Sequence, residues 1–168
     1  MNVMQEIQNA RGEIMLKVDT AFTELIRRLE NNANTFERRQ PGNYETIYPI
    51  TVNPAVFKGK KPTAVTIGGE RIDVRTWKMV VEAMMRHCNE DPEKHVALMN
   101  LRGKISGRER VLLAKDGDMM RSPMKIDENL YIETHYDTET LLRTLMTRIL
   151  DAVGYDYSNI LVATRNAA

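Results

Sequence analysis

The sequence predicts an α+β protein, with a long N-terminal amphipathic helix followed by a small antiparallel-sheet domain that carries three helices and is partly winged-helix-like. Three observations predict it. Apolar side chains recur at helical spacing through the first 31 residues, at Val3, Ile7, Ala10, Ile14, Val18, Phe22, Leu25 and Leu29. The stretch "TAVTIGGERIDV" holds two alternating runs joined by two glycines, as a tight β-hairpin requires. Beyond it, helical stripes and short alternating runs succeed one another with turn residues between them.

The first helix should span about residues 3 to 31. Gly12 weakens its interior by up to about 1 kcal/mol relative to alanine, and a four-residue step near Val18 interrupts a strict heptad. Its stripe either packs on the rest of the chain or pairs with the same helix of a second subunit, giving a homodimer. "NNANTFERRQPGNYE" then predicts a loop at about 31 to 45, which separates a helix-and-linker segment, 1–40, from a core domain, 46–168.

Strands begin near Ile47, and Gly68 and Gly69 form the hairpin turn. Thr76 caps a helix with Trp77, Val80, Val81, Met84, Met85 and Cys88 on its apolar face. Asp91 caps a second, short helix, with Pro92 at its first position and Gly103 past its end. The two should pack together across their short connection. "RERVLLA", 108 to 114, reads as a strand and "KDGD" as a turn, while Pro123 marks an irregular or edge segment. "NLYIETHY" is the next strand. Asp137 or Thr138 caps a third helix with Leu141, Leu142, Leu145, Met146, Ile149, Leu150 and Val153 inward, Gly154 ends it, and "NILVAT" closes the domain as a strand.

Composition bounds the function. With 168 residues, 42% apolar and 28% charged, the chain is expected to fold as one domain with an appended helix. No apolar run approaches the roughly 20 residues of a membrane span, and the N-terminus lacks the basic start and continuous apolar stretch of a signal peptide, so a cytoplasmic protein without a membrane partner is expected. The single cysteine, Cys88, excludes an internal disulfide and a CxxC zinc knuckle. A net charge of +1 supplies no global field to attract a polyanion and is far from the acidity of a wholesale DNA mimic.

Three constellations could carry chemistry. Glu133, His135 and Asp137 fall at every second position, so on a strand they share a face and could hold a metal or move a proton. Asp137, however, is expected to cap a helix, which leaves Glu133 and His135 on an exposed strand face while Tyr131 or Ile132, Thr134 and Tyr136 pack inward. No HExxH, PD-then-ExK or GxSxG pattern accompanies them. His87, His95 and Cys88 lack the further ligands of a zinc site. No catalytic residue, metal or cofactor is therefore assigned, and the chain reads as non-enzymatic.

The third constellation is basic. Between Arg102 and Lys125 seven cations face three acids, an excess of four, and residues 126 to 139 then carry five acids without a lysine or arginine. Two helices followed by a basic strand-turn-strand is the order of a winged-helix module, so Arg102, Lys104, Arg108, Arg110, Lys115 and Arg121 are the candidate phosphate contacts. Gly103 and Gly107 would let the backbone approach a partner, and Ser106 could donate to a phosphate. Lys58, Lys60 and Lys61 form a second patch.

"GKKPTAVTIGGERIDVRTWKMVVEAM" and "LRGKISGRERVLLAKDGDMMRSPMKIDENLYIETHYDTETLLRTLMTRIL" resemble an uncharacterised family of small hypothetical proteins from gut Firmicutes, often carried on mobile genetic elements. The resemblance runs from about residue 48 to 162. It implies a phage or plasmid accessory that acts on nucleic acid or on a nucleic-acid-handling host protein, and it carries no assigned reaction or functional residues. Two functions follow as expectations: DNA binding through the basic strand-turn-strand, or inhibition of a host defence nuclease in the manner of an anti-CRISPR protein.

Overall fold

The computed structural model of the chain describes residues 2–37, 44–106 and 110–167. They fall into two units, Met1–Tyr44 and Glu45–Ala168. The first is a single helix, α1 (Val3–Glu37), which runs past its expected end. Residues 31–37 continue the helix because asparagine lowers helix propensity only modestly, by up to about 0.7 kcal/mol per residue. The Pro41-Gly42 pair that anchors the expected loop lies outside the described residues. Glu24 bonds both Arg27 and Arg28 one turn on, at 3.0 and 3.1 Å. The apolar stripe of α1 is exposed, from 46% at Val18 to 67% at Val3.

The second unit contains β1 (Thr46–Pro49), a 3-10 turn (Pro54–Phe57), β2 (Lys60–Ile67), β3 (Glu70–Asp73), α2 (Trp77–Glu90), α3 (Pro92–Leu101), β4 (Leu113–Ala114), β5 (Pro123–Asp127), β6 (Leu130–Glu133), α4 (Thr138–Thr144) and β7 (Leu161–Asn166). Two antiparallel sheets result, in the orders β1-β7-β2-β3 and β4-β6-β5. This is the α+β class expected, and the order of two helices followed by a small sheet is present in α2, α3 and β4 to β6.

Local chemistry accounts for the elements. Gly68 and Gly69 take φ of +59° and +83°, which closes β2 onto β3 in a two-residue turn. The Thr76 hydroxyl accepts from Met79 N, and Asp91 accepts from Glu93 N and Lys94 N, so each helix of the α2–α3 pair is capped by its own side chain. Pro62 sits in β2, where the register against β7 shifts, so its missing N–H falls at an irregularity of the ladder. Pro123 opens β5, an edge strand.

The core is built from β2, β7, α2 and the α4 region around Phe57, Val65, Met84, Leu142 and Ile149. Trp77 donates its indole N–H to Lys60 O at 3.0 Å and packs on Phe57, which meets Tyr48 edge-on. Beyond α4 the helix widens into a π turn at Leu145–Leu150, with Asp151 N bonded to Met146 O five residues back. The sequence explains the widening. Apolar pairs recur every four residues, at 141–142, 145–146 and 149–150, and a regular α-helix would rotate such a repeat by about 40° each time. The wider turn keeps all six side chains buried.

The strand expected at 108–114 is shorter than its pattern. Only Leu113–Ala114 pair with β6, while Val111 bridges back to Ser106 and Leu112 N donates to Ile105 O at 2.9 Å. Val111 and the Leu112 N–H are thus paired with the chain leaving α3, so residues 105–106 and 111–112 lie side by side as two arms (the 105–112 hairpin), and residues 107–109 lie outside the described residues.

Two glycines make opposite predictions. A Cβ on Gly117 would lie 2.7 Å from the Pro123 ring, whereas one on Gly12 would meet nothing within 4 Å. Gly117→Ala is expected to destabilise the second unit by about 1–3 kcal/mol in chemical denaturation. Gly12→Ala should instead raise the helical circular dichroism signal, by up to about 1 kcal/mol of helix stability.

Candidate nucleic-acid interface

The basic segment is organised around a residue the sequence placed elsewhere. Glu133 was expected on an exposed strand face, yet it is buried, 1% exposed. Strand β6 ends at Glu133 and the chain bends, so the two-residue alternation stops and Glu133 and Thr134 are both inside. The Glu133 carboxylate accepts backbone N–H bonds from Arg121 at 2.6 Å, Ser122 at 2.9 Å and His135 at 2.9 Å. Its own N–H donates to Leu112 O at 3.0 Å. One residue therefore ties the 105–112 hairpin, the turn before β5 and the exit of β6 together.

Burial pushes the Glu133 carboxyl pKa up, but the three N–H donors and the Arg110 guanidinium outweigh it and hold the group below the ordinary glutamate range. Ser122 is fixed further: its carbonyl accepts from Thr134 N and Oγ1, and its hydroxyl meets Lys78 Nζ at 2.8 Å. The remaining members of the opening trio are separate. His135 is exposed, and Asp137 caps α4 through Thr140 N at 3.0 Å and the Thr140 hydroxyl at 2.7 Å, which lowers its pKa. Glu133, His135 and Asp137 do not act as one cluster, because Glu133 and Asp137 are each bonded to backbone N–H groups and His135 faces solvent.

The candidate phosphate contacts are disposed as follows. Arg102 is half-buried and donates to Met99 O at 2.9 Å and Asn129 O at 2.8 Å, which joins the end of α3 to the β5–β6 turn. Gly103, φ +72°, lets the chain leave the helix there, with its N–H on Leu113 O. Lys104 is exposed at the base of the hairpin, and Arg110 is half-buried on its returning arm near Glu133. Arg108 and Gly107 lie outside the described residues. Lys115 is exposed after β4, and Arg121 points its side chain to solvent from a backbone pinned by Glu133. Among the described residues, Lys104, Arg110, Lys115, Arg121 and Lys125 form no ion pair within 4 Å, whereas Arg71, Arg86 and Arg143 each have a carboxylate partner.

Two cations escaped sequence reasoning. Arg148 Nη2 donates to Ser106 O at 3.1 Å and so reaches the hairpin from the π turn, and Lys78 reaches Ser122 from α2. Neither lies within the basic run, and only the tertiary fold brings them to it. The Lys58–Lys61 patch belongs to the other sheet, where Lys60 bonds Asn166 Oδ1 and lies 5.8 Å over the Tyr48 ring. His87 and His95 are also apart in function: His87 Nδ1 meets the Tyr155 hydroxyl at 2.7 Å, and His95 Nδ1 meets Asn89 Oδ1 at 2.9 Å. Burial pushes the Cys88 thiol up to about 11 and the Tyr155 hydroxyl up to about 12. Compared with protein families, with curated proteins and with solved structures, the chain finds no match.

Removing the Glu133 carboxylate should leave three part-buried N–H groups without their acceptor. Glu133→Ala is expected to cost on the order of 2–5 kcal/mol in urea denaturation, with Glu133→Gln in between because it keeps one acceptor oxygen. A lowered native pKa means that the ionised form stabilises the fold above the unfolded value of about 4.3, and that this contribution is lost as pH falls through the native pKa. Stability of the unaltered protein should therefore fall more steeply below about pH 4.3 than that of Glu133→Gln. Parallel curves for the two would contradict the assignment.

Proposed function

We propose that this chain is a non-enzymatic accessory protein, in keeping with the mobile-element context its resemblance implies, that binds the phosphate backbone of nucleic acid through the basic face around the 105–112 hairpin. The observation that carries the proposal is the set of cations with no ion pair within 4 Å among the described residues, Lys104, Arg110, Lys115 and Arg121, the last with its backbone N–H bonded to Glu133. Lys104, Lys115 and Arg121, without a carboxylate partner, keep their charge for an external anion, while Arg110 shares its charge with the nearby Glu133, and a backbone fixed at Arg121 lowers the ordering cost of binding. Arg102 supports the face from behind, since its guanidinium is already bonded to two carbonyls. No base-stacking aromatic lies within the 102–125 segment, so duplex backbone rather than single strands is the expected ligand.

A second reading, an anti-CRISPR-like inhibitor that docks on a host defence nuclease, is favoured by a groove of about 330 Å3 between β3 and α2. Ile72, Met79 and Ala83 line it together with Glu70, Glu82, Glu90, Arg86 and His87, Glu82 being paired with Arg86 at 2.8 Å. Three carboxylates against one arginine beside apolar side chains suit a basic protein surface better than a polyanion.

Titration against duplex DNA separates the two. With about four phosphate contacts, log K should fall with log salt at a slope of about −3.6, and Lys115→Ala or Lys104→Ala should each reduce that slope by about 1. Absence of salt-sensitive binding near physiological ionic strength would overturn the phosphate reading. A stoichiometric protein partner that survives nuclease treatment and is lost in Glu82→Lys would support the inhibitor instead.

A further inference from the structure

We propose that α1 is an interface between copies of this chain, packed helix against helix on a second copy. The observation is a repeat of eleven residues in its exposed apolar face. Val3, Ile14 and Leu25 stand eleven apart, and so do Met4, Met15 and Ile26. Ile7 and Val18 complete the same spacing. Eleven residues in three turns is 3.67 per turn, close to the 3.6 of a straight helix, so the stripe runs almost parallel to the helix axis instead of winding around it. The four-residue step near Val18 that spoils the heptad is what the eleven-residue repeat demands. Self-packing along this face gives a straight or slightly right-handed pair, not a left-handed zipper.

The size of the face fits that occupant. From Val3 to Ile26 it extends about 35 Å at 1.5 Å per residue. The eight side chains and Phe22 on the same stripe are all about half exposed or more. At roughly 60–100 Å2 of apolar surface each, covering them on two helices removes on the order of 1,000–1,800 Å2 from water, which reaches the range of specific protein interfaces. The flanks carry both signs, with Glu6, Lys17, Glu24 and Arg28 along one side, so the face has no excess of cations to select an anionic membrane. Arg11 lies within the stripe, and a single polar residue at such a position sets register at some cost in stability.

The test is the mass of the full chain in solution, by sedimentation equilibrium over a dilution series, for the unaltered protein and for Val18→Glu/Leu25→Glu. Glutamate is a good helix former, so the substitutions act on the face and not on helix propensity. Fluorescence of the sole tryptophan, Trp77, which packs on Phe57 in the second unit, reports whether that unit stays folded. The expected result is an integral multiple of the chain mass above one that falls to one in the double variant, with Trp77 emission unchanged. A monomer at every concentration, a multimer that survives the double substitution, or a monomer that instead gathers on anionic vesicles would each overturn the proposal. None of these outcomes depends on whether the chain binds nucleic acid.

Discussion

Three backbone N–H groups converge on one buried carboxylate, and the path of the chain before β5 and after β6 follows from that convergence. An ionised carboxylate taken out of water without partners costs many kcal/mol, so Glu133 is tolerable inside only because Arg121, Ser122 and His135 supply donors and Arg110 lies near it. The dependence runs both ways. The turn before β5 has few regular ladder bonds of its own, and its N–H groups at 121 and 122 find their acceptor in Glu133. Through Glu133 N the same residue holds Leu112, and with it the returning arm of the hairpin.

Cations from outside this turn bond into the same part of the chain. Arg102 closes the end of α3 onto the β5–β6 turn, Arg148 reaches the hairpin from the π turn, and Lys78 reaches Ser122 from α2. Arg102 and Arg148 bond backbone carbonyls, and Lys78 bonds the Ser122 hydroxyl. In the proposed phosphate-binding role, the cations without a carboxylate partner would meet the ligand, because affinity for phosphate grows with the number of available charges and with their preorganisation. Acidic residues follow in the 126–139 segment, and one of them, Glu133, is turned inward.

The helices and the hairpin were legible in the sequence because their signals are local. Thr76, Asp91 and Asp137 cap where their spacing to the following apolar stripe says they should, and Gly68-Gly69 admits few alternatives. Glu133 was not legible. A charged residue on an alternating run is ordinarily a solvated one, and its burial depends on donors eleven and twelve residues upstream that no pattern in the strand announces. The π turn lay in between: the four-residue recurrence of apolar pairs at 141, 145 and 149 contained it, but a recurrence of four is easily taken for an ordinary helix. Arg148 and Lys78 show the same limit from the other side, since a basic face assembled from distant segments exceeds the basic run that points to it.

The most direct measurement of the central claim is a carbon-detected NMR titration of the Glu133 carboxyl, followed alongside the amide resonances of Arg121, Ser122 and His135. The expected midpoint lies below the ordinary glutamate value of about 4.3 and is shared by all three amides as they lose a charged acceptor. A midpoint at or above that value, or amides that do not respond to the titration, would contradict it.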